Sequence, residues 1–569
     1  MSTETETAAA TESPAPATES AAAATAPPAR TRPERGQELE LKIDSLAYGG
    51  EGVARWGAGG YVVFVTGAVP GDRVRAVVYK RKRSYAHART VEVLKPSEER
   101  IAPRAAHPGV PWQVLPYERQ LEIKQTQVGD ALRRIGHLDG FELQEIVPAV
   151  AQWRYRNKLE YSFGSRLEDD AEGPAGELVC GFHAPAGWNR VVQIEDCLLA
   201  SELGNRARRV VLRWAREHGL GAWSRGGEPG AVRGGRTAAS DSGAGVVPGG
   251  EPELAPDGEP GPHTEGAPRP TPADRVGPAP DGRALLRNLV VREGRRTGQL
   301  QVRLVSTEGE LDAASLADAL NDELGESLSG ALWTRSRQVA ETTMGGETEL
   351  LTGVAELPER LGELDLRISP EAFFQTNTEM AEVLYGIAGE YAALEGWERV
   401  YDLYCGIGTI ALSLASRTGE LWGIELVEEA VANAIEGARR NEITQAHFFA
   451  GDTRLALPEL LAKAGRPDVV VVDPPRAGLS QKVVRRIIDA SPKRIVYVSC
   501  NPTTLAPNAA QLVEAGWTLR RVRAVDMFPQ THHVECVALL ERADGRRSSA
   551  SSVARVPSTP RGLGGPLES

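Results

Sequence analysis

The chain has 569 residues, 41% of them hydrophobic, and a net charge of −12. That length accommodates roughly two to four domains, and the charge excludes a protein that coats nucleic acid through overall attraction, though not one with a local basic face. No apolar run approaches the ~18 residues of a membrane span, and Met1 to Ala24 lack the basic start and apolar centre of a secretory signal, so no membrane association and a cytoplasmic address are expected. Cys180, Cys197, Cys405, Cys500 and Cys536 are odd in number, widely spaced and form no C-x-x-C pair, which points away from a disulfide framework and from structural zinc.

In chain order, residues 1–35 are rich in Ala, Thr, Pro and Glu and read as a disordered tail. Residues 36–96 alternate apolar and polar positions, as in Leu39-Glu40-Leu41-Lys42-Ile43, with glycine turns at Gly49-Gly50-Glu51-Gly52 and Gly57-Ala58-Gly59-Gly60; short strands at this spacing predict a small β-barrel of OB type. The barrel carries Lys80-Arg81-Lys82-Arg83 followed by Tyr85, His87 and Arg89. Such a run can be a solvated edge that discourages strand pairing. On a small barrel beside larger domains it reads as phosphate contact with an aromatic to stack on.

Residues 97–367 form a central α+β block with a helical pattern over Glu118 to Arg134, strand-like pieces at Leu159–Phe163 and Leu300–Val305, and a disordered insertion at about 226–281 dense in Gly, Pro, Ala and Asp. Residues 368–542 alternate apolar strands with helices, which predicts an α/β, Rossmann-like parallel sheet covered on both faces. Residues 543–569 read as a second disordered tail. Ligands of such sheets bind at the carboxyl ends of strands, and Glu425, Asp473 and Cys500 all fall at such ends.

Asp402-Leu-Tyr-Cys-Gly-Ile-Gly-Thr409 follows a strand and opens a helix. Gly406 and Gly408 allow close backbone approach, but the third glycine of the dinucleotide fingerprint is replaced by Ala411 and Leu412, which disfavours a pyrophosphate cradle. Glu425, ending the next strand, is placed to bind ribose hydroxyls; alternatively it is an acid favouring a helix N-terminus. Asp452 ends the third strand and is placed to reach an adenine. Asp473 precedes Pro474 and Pro475, whose stiff turn holds the acid at the pocket edge. Cys500 stands where the pocket is expected, although buried cysteine is ordinarily an inert small hydrophobe. Glu535 directly precedes an apolar strand; partial burial would raise its pKa and suit it to proton abstraction, and a structural ion pair with an arginine is the equal alternative.

Ser369-Pro-Glu-Ala-Phe-Phe-Gln375-Thr-Asn377, Asp402-Leu-Tyr-Cys-Gly-Ile-Gly, Asp473-Pro-Pro-Arg, Ser499-Cys-Asn-Pro and Phe528-Pro-Gln-Thr-His-His-Val-Glu535, in that order, resemble the RNA uracil-C5 methyltransferase family. The first block resembles that family's TRAM domain, and Tyr155-Arg-Asn-Lys-Leu-Glu160 and Cys180-Gly-Phe-His183 its central domain. The resemblance implies an S-adenosylmethionine-dependent enzyme acting on structured RNA, rRNA or tRNA, with a monomer expected. It implies cofactor contacts at Gln375, Tyr404, Glu425 and Asp473, with Thr409 and Asp452 as additions. Cys500 is the implied nucleophile, adding to uracil carbon-6, and Glu535 the proton acceptor. Either Phe373 or Phe374 is suited to stack on the target base; both are equally suited to a core.

Many relatives hold an iron–sulfur cluster on three cysteines after the barrel and one later. Here Ala105-Ala-His-Pro-Gly-Val-Pro-Trp-Gln113 has no cysteine and Cys197 has no partners, so no cluster is expected, with Trp112, Pro108 and Pro111 packing in its place. Three alternatives remain in view: the same fold acting on another base or a small aromatic, a nicotinamide or flavin oxidoreductase, and a non-catalytic RNA-binding protein.

Overall fold

The structure, a computed structural model, describes residues 32–167, 173–184, 187–224 and 277–542. The two tails and the insertion read as disordered lie outside the described residues, apart from 32–35 and 277–281. Contacts group the chain into two units: residues up to Ala47 with Glu51–Glu98, and Tyr48–Gly50 with everything from Glu99 onward.

The first unit is a six-stranded sheet in the order Glu38–Lys42, Arg73–Arg81, Tyr85–Lys95, Tyr61–Thr66, Gly52–Trp56, Ser45–Leu46. Alternation decides its faces. Leu39, Leu41, Val74, Ala76 and Val78 turn inward onto Tyr61, Val63 and Val65, while Glu38, Glu40 and Lys42 face out. Lys80 to Arg83 are exposed. Beside them Phe64, Tyr79, Tyr85 and His87 form one aromatic cluster, with His87 stacked on Phe64 at 5.4 Å.

The second unit contains two large sheets. One has seven strands, running Gly187–Gln193, Leu178–Ala184, Lys158–Ser165, Leu286–Gly294, Gln299–Ser306, Leu328–Arg335, Glu347–Gly353. Its apolar face is covered by helices Glu202–Glu217 and Ala313–Leu324. The first of these helices is capped by Ser201, which accepts from Gly204 N–H, and buries Ala207, Val210, Val211 and Trp214 at helical spacing.

The other sheet has eight strands in the order Ala446–Ala450, Glu420–Glu425, Arg399–Leu403, Val469–Val472, Arg494–Ser499, Glu535–Arg542, Trp517–Val525, Glu142–Val147. Val469 and Val471 enter one core and Val470 and Val472 another, so both faces are covered, as continuous apolar strands require. Two features depart from the sequence reading. Glu535–Arg542 runs antiparallel to both neighbours, because only the nine-residue loop 526–534 joins it to Trp517–Val525, too short for a parallel crossover. Glu142–Val147, assigned with the central block 97–367, instead pairs in parallel with Trp517–Val525 at the sheet edge. The helix before it, Tyr117–Asp130, ends in a π-helical turn, Ala131–Ile135, packed on helix Pro502–Glu514. Among the described residues no helix is long and apolar enough to cross a membrane.

Candidate active site

Strand Arg399–Leu403 ends in a loop where Tyr404, Gly406 and Gly408 all take left-handed backbone conformations, at φ +65°, +55° and +78°. For Tyr404 this costs ~1–2 kcal/mol, a strain that clusters at functional sites. A side chain on Gly408 would press on Ala434 and Phe448 at about 3.0–3.1 Å, whereas a Cβ on Gly406 meets nothing within 4 Å. Gly406 therefore fronts open space, as close approach by a ligand requires. Asp402 is buried beneath the loop: its Oδ2 accepts from Ala411 N–H at 3.1 Å and its Oδ1 has no protein partner. Burial, with Asp473 adding to it, pushes the Asp402 carboxyl well above its ordinary range.

Glu425 closes the next strand. Its Oε2 accepts from Gly406 N–H at 3.1 Å and its Oε1 from Leu426 and Val427 N–H at 2.7 and 3.0 Å. It thus ties the glycine loop to the start of helix Glu428–Arg440, as the helix N-terminus reading has it. Asp452 caps helix Thr453–Ala464 and is engaged by the Arg454 guanidinium. The Thr409 hydroxyl meets Tyr385 Oη at 3.0 Å in a buried contact. Gln375 is nearly buried, and its carbonyl accepts from Asn157 Nδ2 at 2.8 Å. The two phenylalanines before it differ: Phe374 is in the core, and Phe373 is 67% exposed.

Asp473 follows strand Val469–Val472, and burial pushes its pKa up to about 7. The Arg476 carbonyl accepts from Asn501 Nδ2 at 2.9 Å and Thr504 Oγ1 at 3.2 Å, fastening this loop to the one that carries Cys500. Asn501 caps helix Pro502–Glu514, with proline at its first position, so strand Arg494–Ser499 turns sharply at Cys500. Four of the five cysteines are buried; Cys500 is the partly exposed one. Its carbonyl accepts from Tyr48 Oη at 2.8 Å. Its thiol is pushed up to about 12 by burial and by the Glu535 and Asp473 carboxylates, against the pull of Arg476. Glu535 is 4% exposed, and burial raises it well above the carboxylate range while Arg476 draws it back. Among the described residues no direct ion pair reaches Glu535, and Arg476 acts on it as a nearby charge. Arg476, which the sequence reading quoted in a motif but gave no role, is thus the cation that acts on both Cys500 and Glu535, while the Asp473 carboxylate acts on Asp402, Glu535 and Cys500. Tyr48, which precedes the Gly49-Gly50 turn, was likewise missed.

At the segment expected to replace a cluster, Gln113 clips the chain on itself, donating to Ala105 O at 2.7 Å and accepting from Arg104 N–H at 2.9 Å. Cys197 Sγ lies 3.3 Å from His107 Nε2, whose pKa burial lowers to about 4, and Trp112 is buried. Among the described residues no group of three His, Cys, Asp or Glu side chains is arranged to hold a metal ion.

Residues 347–543 match the model of a family described as tRNA (Uracil-5-)-methyltransferase, and residues 32–91 match the TRAM domain. The chain is 34% identical to an uncharacterised RNA methyltransferase of Bacteroides thetaiotaomicron over 84% of its own length and 96% of that protein's. It is also 34% identical to one of Chlorobaculum tepidum, over 85% and 92%. Its fold is similar to the crystal structure of the Pyrococcus abyssi tRNA (uracil-54, C5)-methyltransferase in complex with S-adenosyl-L-homocysteine, with a TM-score of 0.62, 24% identity, and coverage of 88% of this chain and 99% of that one.

Proposed function

The chain belongs to the RNA methyltransferases whose catalytic region the tRNA (uracil-5-)-methyltransferase model describes, and on that premise we propose that it methylates carbon-5 of a uridine in rRNA or tRNA through a covalent adduct on Cys500. The observation that carries this reading is the juxtaposition of Cys500 and Glu535 at facing ends of adjacent strands, beside a carboxylate-lined loop.

The loop suits S-adenosylmethionine. Glu425 is the acid for the ribose hydroxyls, the open side of Gly406 admits the ligand's backbone-facing edge, Asp473 offers negative charge to a cationic ligand once ionised, and the unpartnered Oδ1 of Asp402 offers a hydrogen-bonding atom. Tyr404 and Gln375 border the same pocket in this reading, with Asp452 and Thr409 further out. When bound, the ligand supplies an electrophilic methyl group on a sulfonium. Uracil carbon-5 is too weak a nucleophile to take that methyl unaided. The Cys500 thiolate adds to carbon-6, and the electron pair of the 5,6 double bond moves into an enolate with charge at carbon-5. After methyl transfer, Glu535 removes the remaining carbon-5 proton, the double bond re-forms and the carbon–sulfur bond breaks, returning the thiolate. A base reaches such a site only when drawn from its stack, at a cost of a few kcal/mol, and exposed Phe373 is the platform for it.

Transcripts carrying tritium at uridine carbon-5 test this. One tritium is released per methyl incorporated, and Cys500→Ala does neither. Methyl incorporation without tritium release would place the methyl on another atom and refute the assignment.

A further inference from the structure

Glu535 is reached through the loop 526–534, and beside the hydrogen bond from Asn377 Nδ2 to Met527 O at 2.9 Å that loop is held from outside the 368–542 block. Lys124 and Asp526 form an ion pair at 2.6 Å with both side chains fully buried, and Lys124 Nζ also donates to Phe528 O at 3.1 Å. Tyr117 Oη donates to the other Asp526 oxygen at 2.8 Å. Gln120, completely buried, makes a reciprocal amide clamp: its Nε2 donates to Gln530 Oε1 at 2.8 Å and its Oε1 accepts from Gln530 N–H at 2.9 Å. Trp112 N–H donates to Gln530 O at 2.9 Å. The clamp closes on a residue whose backbone is left-handed, Gln530 at φ +67°. A non-glycine residue keeps that conformation only where its surroundings over-determine it, and here they are one face of helix Tyr117–Asp130 together with the Trp112 backbone.

We infer that Gln120 and Lys124 are positioning residues for proton abstraction, setting through loop 526–534 where the Glu535 carboxylate stands relative to the substrate's carbon-5. This rests on Glu535 being the proton acceptor proposed above. Adduct formation draws on the Cys500 loop, which is anchored separately through Arg476, Asn501 and Thr504. Loosening the clamp therefore impairs release of the methylated adduct and not its formation. A misplacement of about 1 Å at a reacting group costs on the order of 10²-fold in rate.

The experiment uses the full-length enzyme with S-adenosylmethionine and RNA, and compares Gln120→Leu with Glu535→Gln on denaturing gels. The expected result is that Gln120→Leu lowers kcat by about 10²-fold, leaves the KM for RNA within about 3-fold, and accumulates a methylated protein–RNA adduct as Glu535→Gln does. A merely structural role lowers melting temperature and active fraction and accumulates nothing; that result overturns the inference. Lys124→Met alone leaves a buried carboxylate unpaired, so the neutral pair Lys124→Met with Asp526→Asn is the second variant, and an adduct-free, fully active enzyme there overturns the role of Lys124. If Glu535→Gln itself yields no adduct, the reading of Glu535 falls and the inference with it; if only Glu535→Gln yields one, the inference alone falls.

Discussion

Ser499 stands opposite Cys536 in the antiparallel ladder, and the Cys536 thiol donates to the Ser499 carbonyl at 3.4 Å. The residues immediately outside that pair are Cys500 and Glu535. Sheet register thus brings the proposed nucleophile and base together from separate motifs. A slip of one residue would turn the strand's side chains to the opposite face.

This pair gives Cys536 a packing role and no chemical one. Cys536→Ala is expected to form the RNA adduct at the wild-type rate while losing about 1 kcal/mol of stability by urea unfolding. Loss of adduct in a folded Cys536→Ala would mean that the reactive sulfur had been misassigned.

Asp473 sets a pH dependence. With its pKa near 7 in the ligand-free enzyme, it is neutral below that pH and ionises to meet a cationic ligand. S-adenosylmethionine affinity is therefore expected to rise with pH up to about 7 and then level, falling by up to tenfold per unit below it. Titration calorimetry reads this directly, and Asp473→Asn should abolish the slope.

The same residue has a stability signature of opposite sense. Its folded pKa lies above the unfolded value of 3.8, so the unfolded chain releases its proton first and stability falls as pH rises from about 4 to about 7. Asp473→Asn removes that loss. It should match wild type near pH 4 and exceed it by at most about 4 kcal/mol at pH 8 in chemical denaturation.

The two phenylalanines separate stacking from packing. Phe373→Ala is expected to leave stability within about 0.5 kcal/mol and to lower kcat/KM for RNA by roughly 10- to 100-fold, the worth of one stacked base. Phe374→Ala removes a core ring and should cost about 3–5 kcal/mol in unfolding experiments.

Cys197 is paired with His107 and not with other thiols. Protein purified anaerobically is expected to contain neither iron nor acid-labile sulfide in stoichiometric amount, and Cys197→Ser to retain methyl transfer. Stoichiometric iron by elemental analysis would contradict this.

Much of the eight-stranded sheet was legible because its central strands, such as Val469–Val472, are apolar on both faces. The eighth strand was not: Glu142-Leu-Gln-Glu-Ile-Val147 is an edge strand with one buried residue, Ile146, and lacks the continuous apolar signature of its neighbours. The left-handed backbones of Tyr404 and Gln530 were equally invisible, since nothing in an aromatic or a glutamine announces positive φ. Arg476 and Tyr48 act on Cys500 through contacts that only the folded chain creates, and no spacing rule finds such partners.

The most direct test of the central claim is mass spectrometry of Glu535→Gln after reaction with S-adenosylmethionine and substrate RNA, followed by denaturation and digestion. The account predicts a peptide containing Cys500 that carries one methylated uridine, absent when Cys500 is also changed to alanine. Methylated RNA formed with no protein-bound nucleotide at any time, or a nucleotide attached to a different residue, would contradict it.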